Sequence, residues 1–364
     1  MTLAIIAITS GGALLARRLH QQVEEAELWL PDRFRQADDA HYFDEKPAEL
    51  LPRLFLRVDG LICIMATGIV VRLLGPQLQG KDRDAAVVVC DEKGQFAISL
   101  LSGHLGGANE LAAEVAELLG GQAVITTATD VNQLPAFDEV ARRNNMAVEP
   151  LERIKLLNRL LLEQKKILLV DTAGAVAAAY QDVPGVTPAK NFVAALQQQC
   201  DGLVFVSNRY LPQLAAQHKL LALRPRNLVV GIGCNRGTAA TEIETVIHET
   251  LRNAFLAVAS VGAVASIDAK QDEAGLWEFA EKYRLSCHFF SAAELNTIKT
   301  PTPPSAVVQQ AVGANGVCEP AALKAAVGGR LLVTKKKSGN VTVAVAESPD
   351  FRSFIPWLEG QSRG

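Results

Sequence analysis

Aromatic residues are scarce, making up 5% of the 364 positions. That excludes a stacking platform for single-stranded nucleic acid, which needs an aromatic face for successive bases. No charge of one sign dominates: 36 Lys and Arg oppose 39 Asp and Glu, a formal charge of −3. A general nucleic-acid binder carries a strong basic surplus, so that class is excluded too. Long apolar runs are missing. A membrane span needs ~20 predominantly apolar residues, whereas Leu61–Val71 and Leu256–Ile267 are shorter and interrupted by Gly, Ser or Thr. The apolar start Leu3–Ile8 is followed by Arg17 and Arg18 rather than preceded by them. This is the order of a strand, a turn and a helix, not of a secretory signal. The six cysteines form no CxxC pair and the six histidines show no metal-ligand spacing. Neither a zinc ribbon, a redox motif nor a bound metal is expected, and the thiols read as reduced cysteines of a cytoplasmic protein.

What is present is the mix of a globular protein, 49% apolar and 21% charged, long enough for two or three domains. Short apolar runs alternate with amphipathic stretches, which implies an α/β fold with a mostly parallel sheet. An N-terminal doubly wound domain is expected over 1–134. Its strands are Leu3–Thr9, Gly60–Met65, Ala85–Cys90, Gln95–Leu101 and Ala123–Thr127. Asp91–Gly94 joins two runs too closely for a crossover and reads as a hairpin. Helices are expected at Asp130–Asn145 and Glu149–Lys165. A small middle α/β region over 135–225 carries little chemistry and reads as a linker or lid. A separate C-terminal α/β domain follows over 226–348, with a tail at 349–364. In it Ala274–Tyr283 reads as a helix, Leu285–Phe290 as a strand, and Ser291 with Glu294 as a capping box. Arg330–Thr334 and Val341–Ala346 form a hairpin around a Lys-Lys-Lys-Ser-Gly-Asn turn.

Candidate chemistry gathers where strands end and helices begin, the usual ligand position in open α/β sheets. Leu100–Asn109, reading LLSGHLGGAN, is the richest segment. Ser102, His104 and Asn109 supply polar groups, and Gly103, Gly106 and Gly107 let a ligand approach the backbone. A capped helix with a tight turn and a solvated histidine is the bland alternative. Gly11 and Gly12 make the first turn. Thr67, Gly68 and Arg72 occupy the junction after Gly60–Ile64, with Lys81, Asp82 and Arg83 soon after. Thr127 and Asp130 end another strand. In the last domain GIGCNRG, Gly231–Gly237, departs from a dinucleotide fingerprint by one residue. With Gly233 and Arg236 it reads as an anion-accepting turn. Asp268 and Lys270 form a polar cluster, and Glu319 follows a further glycine-rich turn.

Taken together these residues carry a resemblance. TSGG (Thr9–Gly12), MATGIVVR (Met65–Arg72), LLSGHLGGAN, TTATD (Thr126–Asp130), VVGIGCNRG (Val229–Gly237), ASIDAKQDEAGL (Ala265–Leu276) and GVCEPAAL (Gly316–Leu323) are similar to the cobalt-precorrin-5A hydrolase family of the anaerobic cobalamin pathway. The resemblance implies hydrolysis of the δ-lactone of cobalt-precorrin-5A and release of acetaldehyde to give cobalt-precorrin-5B. It implies no cofactor, since cobalt arrives in the substrate, and possible handover of the product to other pathway enzymes. Among the residues, His104 is the expected general base, because imidazole titrates near neutral pH. Asp82 and Asp130 are the other catalytic candidates, with amides at the start of the helix after Gly106 holding the oxyanion. The remaining residues named above are expected to contact substrate, the cations through its carboxylates. Two other readings remain: a tetrapyrrole-binding or handover protein without turnover, and a nucleotide-dependent enzyme using Gly231–Gly237.

Overall fold

Strands Leu61–Ile64 and Ala86–Cys90 are apolar and buried at every position because both faces of their sheet are covered. The computed structural model describes residues 2–23, 25–80, 83–210 and 219–350. Lys81, Asp82 and the tail from 351 onward lie outside the described residues. The chain divides into two units, Met1–Glu139 and Val140–Gly364. Among the described residues no helix is long and apolar enough to cross a membrane.

The first unit holds a seven-stranded sheet in the order β3-β2-β1-β4-β5-β6-β7. The strands are β1 (Leu3–Ala7), β2 (Ala26–Pro31), β3 (His41–Phe43), β4 (Gly60–Ile64), β5 (Ala86–Cys90), β6 (Phe96–Leu101) and β7 (Gln122–Val124). β1 to β5 run parallel. The helices Ser10–His20 and Ala108–Leu119 cover one face, and Pro47–Phe55 and Thr67–Leu74 cover the other. The α/β expectation therefore holds, with the hairpin where it was read. The Asp91 carboxylate accepts the amides of Lys93 (2.9 Å) and Phe96 (2.7 Å), and Gly94 takes φ 70°. β6 thus returns antiparallel to β5, Cys90 opposite Ala97 and Val87 opposite Leu101, and β7 pairs parallel with β6. The carboxyl ends of β6 and β7 consequently lie at the edge where β1, β4 and β5 begin.

The second unit contains two five-stranded sheets. One has the order β10-β9-β11-β12-β8, formed by β8 (Met146–Glu149), β9 (Ile167–Val170), β10 (Val186–Pro188), β11 (Gly202–Val206) and β12 (Leu220–Pro225). The other has the order β15-β14-β13-β17-β16, formed by β13 (Leu228–Cys234), β14 (Val261–Ile267), β15 (Ser286–Phe290), β16 (Arg330–Ser338) and β17 (Val341–Glu347). The middle region is fastened to the last one: buried Asn208 donates to Asn227 (3.0 Å) and Glu347 (2.7 Å), and its carbonyl accepts the Ala257 amide (2.8 Å).

Several boundaries differ from the sequence reading. The helix expected over Asp130–Asn145 is two, Ala128–Val131 and Phe137–Arg143, because Pro135 supplies no amide and restricts the residue before it. Glu149–Lys165 begins as strand β8 and Pro150, so the helix is only Ile154–Leu162. The three lysines belong to β16, and the turn is confined to Gly339 and Asn340. The capping box at Ser291 is present as read.

The helix Cys318–Ala325 packs so closely on β13 that a Cβ on Gly231 would stand 1.8 Å from the Cys318 carbonyl oxygen and 2.9 Å from Ala322 Cβ. Gly231→Ala should therefore lower stability by roughly 3 kcal/mol or fail to fold, as overpacking against backbone does. Gly316→Ala, where a Cβ would meet only Pro320 Cδ at 3.9 Å, should shift the melting temperature little. Equal melting temperatures in differential scanning calorimetry would contradict this packing.

Candidate active site in the N-terminal unit

Residues 102–107 form a tight loop between β6 and the helix Ala108–Leu119. Ser102 sits at φ 58° and Gly107, the helix N-cap, at φ 87°. A Cβ on Gly106 would lie 2.4 Å from Ser102 Cβ, and one on Gly103 2.7 Å from Asn109 Oδ1. These glycines are required by the loop's own packing. The amides of Gly107, Ala108 and Asn109 donate to the carbonyls of His104, Ser102 and Gly103, each at 3.1 Å. The helix start expected to hold an oxyanion therefore has these three amides already engaged.

Asn109, buried, ties three segments together. Its Oδ1 accepts from Ser99 Oγ (2.7 Å), and its Nδ2 donates to Thr127 Oγ1 (2.9 Å) and Asp130 Oδ2 (3.1 Å). That brings the Thr126–Asp130 segment against the loop. His104 Nε2 lies 2.7 Å from Asp130 Oδ2 and 3.3 Å from Thr129 Oγ1, and Nδ1 lies 3.5 Å from Asp138 Oδ1. The Asp138 side chain is 2% exposed. Thr129 belongs to the TTATD segment, whereas Asp138 and Glu139 carry no such mark in the sequence, where they look like an ordinary helix start. Their signal is the adjoining Phe137, fully buried and drawing Asp138 inward with it.

Both ring nitrogens of His104 face carboxylates, which ionised can only accept, so the ring that satisfies both is the imidazolium. Burial by itself would lower the His104 pKa, but hydrogen bonding to Asp138 and Asp130 and their negative charge outweigh it and push it up to about 9. A value of about 9 leaves the ring protonated near pH 7, whereas unperturbed imidazole chemistry leads one to expect a base there. Asp130 accepts both bonds through Oδ2, so Oδ1 is the acceptor left for a water. His104, Asp130 and Glu139 also offer ligand atoms within 4.8 Å of one another, the group among the described residues able to hold a metal.

Gly11, Gly12, Thr67, Gly68 and Arg72 lie at the opposite sheet edge, where β1 and β4 end. Thr9 Oγ1 accepts the Gly12 amide (3.1 Å) and donates to Glu92 (2.8 Å), whose carboxylate lies over Gly11. Thr9, Met65, Thr67 and Glu92 line an open pocket of ≈ 310 Å³ there. Arg72 folds back toward Gly68, its Nη2 3.3 Å from where a Cβ would stand. Direct strand pairing separates this group from His104 by the length of β5.

In the second unit, Gly231 and Gly233 lie inside β13 rather than in a strand-to-helix turn, so the dinucleotide fingerprint has no loop to form. The turn itself begins at Asn235, and the Gly237 amide donates to Glu273 (2.9 Å). Arg236 pairs with Asp272 (2.7 Å), and Lys270 with buried Glu273 (2.9 Å). Asp268 is exposed and accepts the Ala269 amide (2.7 Å). Glu319 is buried and accepts from Thr302 Oγ1 (2.7 Å) and the Lys335 amide (2.8 Å).

The raised His104 pKa has a definite sign in stability. The imidazolium contributes fully below the unfolded value of ~6.5, and the contribution is lost as pH rises through about 9. The melting temperature should fall across pH 6.5–9 in the wild type. Asp138→Asn, which removes one carboxylate, should bring that fall to lower pH. Superimposable pH profiles for the two proteins would contradict the pairing.

Comparison with known proteins places the whole chain. Family profiles described as Cobalamin synthesis G N-terminal, Cobalamin biosynthesis central region and Cobalamin synthesis G C-terminus match residues 49–130, 135–225 and 228–346. The Cobalt-precorrin-5A hydrolase of Priestia megaterium is 37% identical over 355 residues, covering 95% of each chain. That of Salmonella typhimurium is 35% identical over 351 residues, covering 95% of this chain and 98% of its own. A solved structure of CobE, a protein from the cobalamin biosynthetic pathway, aligns at 35% identity over 33% of this chain and 89% of its own, with a TM-score of 0.32. Near full-length identity at this level, in the order N-terminal, central and C-terminal, means that the chain belongs to the cobalt-precorrin-5A hydrolase family.

Proposed function

We propose that this protein is a cobalt-precorrin-5A hydrolase of cobalamin biosynthesis, and that its chemistry takes place at His104, Asp130 and Asp138. The observation that carries the activity is the identity, 37% and 35% over nearly the whole chain, to two relatives bearing that name. The observation that supports the site is an acid and a base held 2.7 Å apart, with the acid's second nitrogen on a buried carboxylate.

Asp130 Oδ1 accepts a proton from water as the water oxygen attacks the lactone carbonyl. The ester C–O bond breaks, and the departing alkoxide takes a proton from the His104 imidazolium. The two-carbon unit then carries a free hydroxyl. Removal of its proton breaks the carbon–carbon bond to the macrocycle, which receives the electron pair and a proton, and acetaldehyde leaves. One water is consumed, and one carboxylate and one aldehyde are formed. Asp138 acts through His104, keeping the ring charged and fixed. Asn109 aims Asp130. No resident cofactor is invoked in this reading, since the cobalt belongs to the substrate. A cytoplasmic location and handover of the product within the pathway belong to the same reading.

Purified protein given the lactone should release acetaldehyde, measured by a coupled alcohol dehydrogenase assay. Asp130→Asn and His104→Ala should each lower the rate by ~100-fold or more, the usual contribution of a positioned acid or base. Near wild-type release from both variants would remove the reaction from this site. Treatment with EDTA should leave the rate unchanged. Loss restored by a divalent ion would instead make His104, Asp130 and Glu139 metal ligands.

A further inference from the structure

The largest contrast of chemistry in the second unit is a pocket of ≈ 470 Å³ in the C-terminal sheet domain. Part of its lining is apolar, supplied by Pro303, Val307, Val308, Val312 and Val317. Val307 is 75% exposed, a large apolar side chain left facing solvent. The lining also carries Lys335 and Lys337 of β16. Alternation along a strand turns residues two apart to one face, and Lys336 between them does not line the pocket.

The cations expected to meet substrate here, Arg236 and Lys270, already have carboxylate partners in Asp272 and Glu273. Lys335 and Lys337 have none among the described residues. The pocket's acid, Glu319, is buried and taken up by Thr302 and the Lys335 amide. The charge without a carboxylate partner among these lining residues is therefore positive, and it shares the pocket with four valines.

We infer that this pocket binds the edge of an apolar macrocycle with peripheral carboxylates, the ring lying on Val307, Val308 and Val317 and the carboxylates reaching Lys335 and Lys337. A small inorganic anion would leave the valine wall wet. A neutral apolar ligand would leave two ammonium groups facing it without partners. An apolar ring with carboxylates at its rim uses both kinds of lining, and apolar enclosure with a few placed charges is the usual make-up of a small-molecule site. The choice of a corrin as that ring rests on the function proposed above, but the binding can be measured without turnover.

Dicyanocobyrinic acid, a corrin heptacarboxylate, is titrated into the full chain by equilibrium dialysis with visible absorbance. Binding should weaken ~10–100-fold in Lys335→Ala/Lys337→Ala, as loss of two charge-assisted contacts does, and remain within twofold in Lys336→Ala. Val308→Asp should also weaken it. The heptamethyl ester of the same corrin should bind the wild type and the double variant alike. The inference is overturned if the wild type does not bind the acid, if the double variant binds it as the wild type does, or if oleate competes at equal concentration. Loss of acetaldehyde release in His104→Ala with corrin binding intact would leave both conclusions standing. Intact release with unchanged KM in the double variant would overturn the pocket alone.

Discussion

The reversal at Asp91–Gly94 is the constraint on which the N-terminal unit depends. The Asp91 carboxylate consumes two turn amides, and Gly94 adopts a left-handed conformation against Leu15 and Leu119. A crossover at this point would bring β6 out parallel, with its loop beside Thr9 and Thr67. The hairpin sends it back, and β7 follows in the same direction. The sheet therefore has two functional-looking edges of different character. At one, helix N-termini meet and Glu92 already supplies a carboxylate to Thr9. At the other, a histidine is surrounded by acids. Both edges therefore carry resident carboxylates, but only the second sets a histidine among them.

Much of this was legible in the residues. Alternation of aliphatic runs with helical stripes identified the α/β class. Four residues announced the hairpin, and Ser291 with Glu294 announced a cap that the structure contains. The LLSGHLGGAN and TTATD segments were singled out separately, and the Asn109 side chain turns out to be what joins them. What could not be read was which strand ends share an edge. A sequence marks where strands stop, but the direction in which each points depends on its pairing partner. Gly68 and His104 looked alike for that reason. Asp138 escaped because acids in the first turn of a helix are commonly solvated, and only burial beside Phe137 distinguishes it.

The same distinction governs charge in the second unit. Arg236 and Lys270 stand near a glycine-rich turn and look available, yet nearby acids neutralise both. The lysines at 335–337 look like a solvated turn. Continuation of β16 through them converts a charge run into a pattern with two faces. Glycines show the converse: Gly103, Gly106 and Gly231 sit beside chemistry, but backbone and side-chain crowding accounts for each.

The Asn109 junction also bears on the order of folding. Ser99 and Asn109 are close in sequence and meet as soon as β6 and its helix form, whereas Thr127 and Asp130 must be brought in across a longer span of chain. Loop-closure entropy grows only slowly with span, so these contacts cost little more to close than the first, and less than the pairing of β1 with β4. The His104 imidazole is fully protonated at neutral pH only once Asp130 and Asp138 stand beside it. In a refolding experiment, proton uptake at neutral pH would report when the two carboxylates reach the ring.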